Sequence, residues 1–230
     1  MRILQLHPWR VNVAEARDIQ RRLAALVSRK NEALAQVRYV AGLDLSPPDA
    51  RGVVRGAAVA LSFPDLMPVE VQIAEAMPTF PYVPGLLSFR EAPALLEALA
   101  RLRHEPDIIL VDGQGYAHPR RFGLACHIGV LTDRPAIGCA KSRLIGVEGH
   151  LAHKKGAWAE LTDAGETIGA VVRTRAGVAP VYASIGHKVD LAAAVRWTLA
   201  CCKGYRIPEP TRQAHLAAAG RLIVAATATD

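Results

Sequence analysis

Apolar and polar positions alternate along this chain with two different periods. Ile19, Leu23, Leu26 and Val27 form one stripe at helical spacing, and Asn12 with Glu15 three residues on makes a capping-box start. A first helix is therefore predicted over residues 13–29, packed on a sheet. Strand-like runs follow at 37–45, 53–61 and 69–74, separated by Pro47-Pro48 and Pro64-Asp65, connections short enough for an antiparallel meander. The run PALLEALARLRH reads as a helix. Pro93 suits a first helical position, which puts the helix start near Ala92 and leaves Glu91 just outside it with a free carboxylate. The alternative is a capping box from Ser88 to Glu91.

Ile108, Ile109, Leu110 and Val111 are an unbroken apolar run too short for a buried helix, so they read as a central strand covered on both faces. Residues 123–132 read as a helix and 136–139 as a second short parallel strand, which implies a right-handed crossover. The polar stretch 146–165 fits no single element, while 167–173 and 181–185 read as strands. Asp190 caps a helix through Cys202, and Arg206-Ile-Pro-Glu-Pro-Thr211 turns into a last helix that carries Arg212 and His215. Three meander strands, then helix, strand, helix and strand, predict an α/β fold with a mixed central sheet flanked by helices. Ribonuclease H has that layout.

The chain has 230 residues, about half of them apolar, enough for a full core in a single domain over 1–230, with a flexible tail from about 223. The N-terminal apolar residues are interrupted by charge and Pro8, so neither a signal sequence nor a membrane span is expected, and the reading is a soluble, cytoplasmic monomer. Cys126, Cys139, Cys201 and Cys202 have no CxxC spacing, which argues for reduced, mostly buried thiols rather than zinc or disulfides. A net charge of +7 changes the picture more, because no Lys or Arg falls between Arg55 and Arg90 while Arg120, Arg121, Lys141, Arg143, Lys154, Lys155, Lys203, Arg206 and Arg212 all lie in the second half. One basic surface is expected, with nucleic acid as its partner.

Asp112 ends the central strand, followed by Gly113 and Gly115 and then His118, Arg120 and Arg121. A carboxylate there is where open α/β sheets keep their sites, although Asp-Gly by itself reads as a turn. Asp44 lies inside a strand and, on that strand alone, reads as solvent-facing. In this layout Asp44, Glu91 and Asp112 can meet over the sheet, and hard oxygen donors without thiolates suit Mg²⁺ or Mn²⁺. Lys141 or His215 would offset charge developing on a phosphodiester, though His215 alone reads as a helix-surface histidine. In PTFPYVPGLLSFRE, three prolines stiffen an apolar loop; Phe80 and Phe89 read as core, and Tyr82 as a fixed wedge that can stack on or replace a base.

The blocks VAGLDLS, FPYVPGLLSFRE, PDIILVDGQGYAHPRRFGLA, IGCAKSRL and RIPEPTRQAH, in this order, closely resemble the endonuclease V family over roughly residues 7–218. The resemblance implies a ribonuclease H-like fold and Mg²⁺-dependent hydrolysis, with Mn²⁺ able to substitute, of the second phosphodiester 3′ to a hypoxanthine nucleotide in DNA, leaving 3′-hydroxyl and 5′-phosphate ends. Inosine-containing RNA is a second expected substrate. Position by position it implies Asp44, Glu91 and Asp112 as metal ligands, Lys141 and His215 as catalytic partners, and Tyr82 as the wedge. It implies Gly85, Leu87, Gly113, Gly115, Gly123 and Leu144 as the hypoxanthine pocket. His118, Arg120, Arg121, Arg143 and Arg212 remain for phosphate or metal-site contacts. Tyr116, Cys126 and Cys139 depart from the family pattern and put fine pocket geometry in question. Two other readings stay open: a binding protein that has lost hydrolysis, against which the intact Asp44, Glu91, Asp112 and His215 count, and a different ribonuclease H-like nuclease such as a junction resolvase, against which the PYVP wedge counts.

Overall fold

The computed structural model describes residues 1–32 and 36–222, so the tail expected from about 223 lies outside the described residues. The first helix, α1 (Val13–Ala24), begins at the predicted capping box, where Asn12 and Glu15 satisfy each other's backbone amides. It ends five residues earlier than the apolar stripe suggests. Leu26 and Val27 instead close tight turns onto Leu23 and Ala24, and the chain is then drawn off the helix axis where the Ser28 amide donates to His187 Nδ1. Nor does α1 pack on the sheet as expected: Ala16, Ile19 and Leu23 bury against Phe80, Leu86, Phe89, Phe122 and Val130, on a third layer outside the next helices.

The meander is present as β1 (Tyr39–Leu45), β2 (Val54–Ser62) and β3 (Pro68–Ala76), each antiparallel to the next. After it come α2 (Leu87–Ala100), β4 (Ile108–Val111), α3 (Leu124–Thr132) and β5 (Ala136–Ala140). β1, β4 and β5 run parallel, with Leu43 opposite Val111 and Val111 opposite Gly138. The ambiguous stretch 146–165 resolves into two strands, β6 (Val147–Glu148) and β7 (Trp158–Asp163), which extend the sheet beyond β8 (Glu166–Val172) and β9 (Val181–His187). The chain closes with α4 (Leu191–Ala200), capped by the Asp190 side chain as predicted, and α5 (Glu209–Ala218). Among the described residues the sheet has nine strands in the order β3-β2-β1-β4-β5-β9-β8-β7-β6. This is the expected ribonuclease H-like mixed sheet.

Strand alternation sorts the core. Ala41, Leu43, Ile109 and Val111 face α2 and α3, while Val40, Ile108, Leu110 and Ile137 face α4 and α5. The start of α2 departs from its prediction: the helix begins at Leu87 with no side-chain cap, and Pro93 sits inside it. Burial of Phe89, Ala92, Leu95 and Leu96 carries the helix across the missing amide, so packing overrides local preference. Glu91 is consequently a helix residue, and the Ser88 hydroxyl caps nothing. All four cysteines are free thiols, three of them buried. Among the described residues no helix is long and apolar enough to cross a membrane.

The loop between α2 and β4 is tied to the sheet edge by one carboxylate. Glu70 on β3, with its side chain 6% exposed, accepts from the Arg103 and His104 amides and from His104 Nδ1. Burial would push Glu70 up, but the bonds from Gln72, His104 and Arg103 outweigh it and bring it down to about 2. A depressed carboxylate stabilises the fold above its unfolded pKa, and that contribution is lost as pH falls through the folded one. Glu70→Gln is therefore expected to cost about 2 kcal/mol at pH 7, with the deficit shrinking as pH falls from about 4.5 toward about 2; urea unfolding of both proteins across that range measures it.

Candidate active site

Three adjacent parallel strands deliver three charged groups to one end of the sheet. Asp44 is near the end of β1, Asp112 directly follows β4, and Lys141 directly follows β5. The register is locked at the site itself, because the Asp112 amide donates to the Leu43 carbonyl at 3.0 Å. Lys141 Nζ pairs with Asp112 Oδ2. On Asp44, Oδ1 accepts from the Leu45 amide at 2.9 Å and Oδ2 accepts from His215 Nδ1 at 2.7 Å. Asp44 thus faces the site, against the solvent-facing reading of its strand, and both aspartate side chains are only 12% exposed.

His215 reaches Asp44 because α5 lies unusually close to β1. Gly42 permits this: a Cβ there would sit 1.9 Å from the Pro210 carbonyl oxygen. Glu91 enters from above on α2 and lines the same groove as Asp44, Lys141 and His215. Its pKa is pushed up to about 8, first by burial and then by the charges of Asp44 and Asp112, with Arg90 opposing. Asp44 is raised for the same reasons, burial first and Asp112 second, with His215 and Lys141 pulling it down. On Lys141, burial lowers the pKa, but the bond to Asp112 and the charges of Asp112 and Asp44 raise it overall.

Three crowded carboxylates are a donor set suited to a hard divalent cation. They do not close a shell as folded: among the described residues no three His, Cys, Asp or Glu side chains gather at metal-ligand spacing. Lys141 and His215 instead hold part of the charge on the aspartates.

Next to the groove lies a second cavity of about 400 Å³, lined by residues 82–85, by Leu87 and Ser88, by the loop after β4 and by the loop after β5. Its size is that of a small-ligand pocket. Gly85, Leu87, Gly113, Gly123 and Leu144 all line it, whereas Gly115 does not. A Cβ on Gly115 would lie 2.1 Å from the Ile185 carbonyl oxygen, so this glycine serves close packing of the loop on β9. Tyr82, 72% exposed, and Leu87 border both cavities, so the tyrosine stands on the ridge between them.

The remaining cations are not free in the groove. His118 is buried in the pocket wall, where Nδ1 accepts from the Arg120 amide and Nε2 donates to the Gly85 carbonyl. Burial, then Arg120, brings its pKa down to about 4, which keeps it neutral, and the two hydrogen bonds set the tautomer. Arg120 bonds Gly85 and Gln20. Arg121, with a left-handed backbone (φ 54°), turns away to pair with Asp163 and Glu166. Arg212 pairs with Glu209 and covers the Tyr205 ring, and Arg143 faces Glu148 at 3.5 Å on the pocket rim. Only for Arg121 are the partners acids distant in sequence; Arg212 and Arg143 meet acids within five residues, and Arg120 is held by the Gln20 amide and the Gly85 carbonyl.

Residues that the sequence reading passed over also line the pocket. Ser88 and Gln114 each carry a buried side-chain oxygen, Ser88 Oγ and Gln114 Oε1, that has no hydrogen-bond partner among the described residues. The Gln114 amide is held in place by donation to the Ser142 carbonyl at 2.9 Å. Buried unpaired oxygens cost stability, so both residues are candidates to pair with a polar group placed in this cavity. Gln114 stands inside the glycine-flanked motif after β4, which was the available signal; Ser88 had none.

The endonuclease V family profile matches residues 21–216. An endonuclease V from Nostoc sp. is 52% identical over 222 residues, 96% of this chain and 100% of that protein. Among solved structures, endonuclease V from Streptomyces avermitilis is 40% identical, with a TM-score of 0.86 over 96% of this chain and 97% of that one. Endonuclease V from Ciona intestinalis, in complex with DNA containing an inosine followed by a ribo-adenosine, is 28% identical, with a TM-score of 0.78 over 90% of this chain and 96% of that one.

The close approach at Gly42 gives a direct test of the geometry. Gly42→Ala is expected to destabilise the fold by about 3 kcal/mol and to part His215 from Asp44. Urea unfolding reads the first effect and the imidazole nitrogen shifts of His215 the second.

Proposed function

The chain belongs to the endonuclease V family of phosphodiester-hydrolysing nucleases, and we propose that it recognises deoxyinosine in DNA and hydrolyses the second phosphodiester on its 3′ side. The products carry 3′-hydroxyl and 5′-phosphate ends, and inosine-containing RNA is a further substrate. In this reading the whole chain acts as one domain and the required cation is Mg²⁺, with Mn²⁺ as a substitute. The observation that carries it is the adjacency of two cavities across Tyr82: a pocket with unpaired polar oxygens on one side and a carboxylate groove on the other.

Asp44, Glu91 and Asp112 would hold the cation, which supplies charge neutralisation at the phosphate and a more acidic water. Lys141 stands where its ammonium can follow charge from Asp112 onto the scissile phosphate. His215, anchored on Asp44, presents its second ring nitrogen for orienting water or moving a proton. Tyr82 fills the space left by a flipped base, and a mispaired hypoxanthine costs little to extrude.

Hypoxanthine lacks the exocyclic amino groups of adenine and guanine, and its N1–H is a donor. Gln114 Oε1 can accept that proton while the Ser88 hydroxyl donates to a ring acceptor, an arrangement adenine would leave unpaired. Because Arg120, Arg121 and Arg212 are engaged internally, the phosphate flanks fall to Lys141, Arg143 and the exposed lysines of the second half. Binding is expected to weaken as salt rises.

End-labelled oligonucleotides with and without a single inosine, in Mg²⁺ or with a chelator, test the proposal. Inosine-dependent cutting that chelator abolishes is the expected result; cutting that ignores inosine overturns it. Asp44→Ala is expected to lower cleavage by about 10³-fold or more while inosine-DNA binding persists, and retained turnover would remove Asp44 from the metal site. For Tyr82→Ala the expected loss is about tenfold on duplex inosine substrates and smaller on single strands. Equal loss on both would remove the wedge role.

A further inference from the structure

Helix α1 carries one polar residue into the interior. Gln20 is 1% exposed and lines the pocket, and a buried amide is costly unless all its groups are paired. They are. Gln20 Nε2 donates to the carbonyls of Gly85 and Phe122, each at 3.1 Å, and Oε1 accepts from Arg120 Nε at 2.5 Å. Only this orientation works, because reversal would set an oxygen against two carbonyl oxygens and an NH₂ against a guanidinium.

The two carbonyls belong to different walls. Gly85 lies in the loop that leads into α2, and Phe122 precedes Gly123, the N-cap of α3. Gly85 is in the left-handed region (φ 75°), and a Cβ there would lie 2.8 Å from Arg120 Nη2. Its carbonyl also accepts from Arg120 Nη2 at 2.5 Å and His118 Nε2 at 3.0 Å. Three donors on one oxygen hold that wall rigidly, and among them Gln20 alone also bonds Phe122.

We propose that Gln20 is a positioning residue: its amide sets the separation of the two walls and so the rejection of purines that carry an exocyclic amino group. The selectivity half of this inference rests on reading the cavity as the hypoxanthine pocket; the coupling of the walls does not.

Gln20→Glu keeps the size and the acceptor for Arg120 but loses both donors, and Gln20→Leu loses all three bonds. In both variants, amide exchange at Leu86 and Gly123 is expected to rise together by about tenfold, while Ile109 in the central strand keeps its rate. The ratio of cleavage at hypoxanthine to cleavage at guanine is expected to fall about tenfold. Equal acceleration at Ile109, or equal loss on both bases, would show a merely structural role and overturn the proposal. So would unchanged exchange and an unchanged ratio in a folded Gln20→Glu protein. Should the unmodified chain fail to distinguish hypoxanthine at all, the selectivity half falls with the reading beneath it, and the exchange rates alone then uphold or refute the coupling.

Discussion

Asp44 and Asp112 stand at the ends of neighbouring parallel strands, spaced about 4.8 Å apart, so the charge of Asp112 bears directly on Asp44 and raises its pKa. The strands cannot part to relieve this, since the Asp112 amide is bonded to the Leu43 carbonyl. The surrounding structure is arranged around that repulsion. Lys141 comes from the third parallel strand to meet Asp112, and α5 is drawn onto Gly42 so that His215 meets Asp44. Glu91 adds a third carboxylate in a buried position, which raises the cost further. A site that only stabilised the fold would not accumulate like charges in this way.

Much of this was legible in the sequence because it rests on local pattern. The four-residue apolar run ending in Asp112 could only be a covered strand, and a strand end is where a carboxylate becomes available. Asn12 with Glu15 and Asp190 announced their helices through short-range capping. Asp44 was harder: a carboxylate in a strand reads as solvent-facing, and its burial depends on α5, about 170 residues away. The layout of the sheet suggested that it could meet Glu91 and Asp112, and the five sequence blocks, taken together, singled it out.

The rest depended on contacts between segments distant in the chain, which no local pattern reveals. Nothing near Arg121 predicts that Asp163 and Glu166 will claim it, since the strands that carry them lay in or next to the unassigned stretch. Gly115 and Gly113 look alike in sequence, but one meets Ile185 and the other the pocket. Pro93 pointed to a later start for α2, and burial of the preceding turn outweighed it. That shift moved Glu91 from a helix entry to a helix face.

The early start of α2 also joins the two cavities mechanically. Leu87 and Glu91 are four residues apart, so they share one face of the first turns of the helix. Leu87 borders both the pocket and the groove, and Glu91 lines the groove. Just before them, the Gly85 carbonyl is held by His118, Arg120 and Gln20. The segment from Gly85 to Glu91 is therefore clamped at one end and helical at the other, with little slack between. A ligand that displaces Leu87 must move the turn that carries Glu91, whereas one that fits leaves the carboxylate in place. The pocket wall and the groove carboxylate are thus two ends of one short, stiff element.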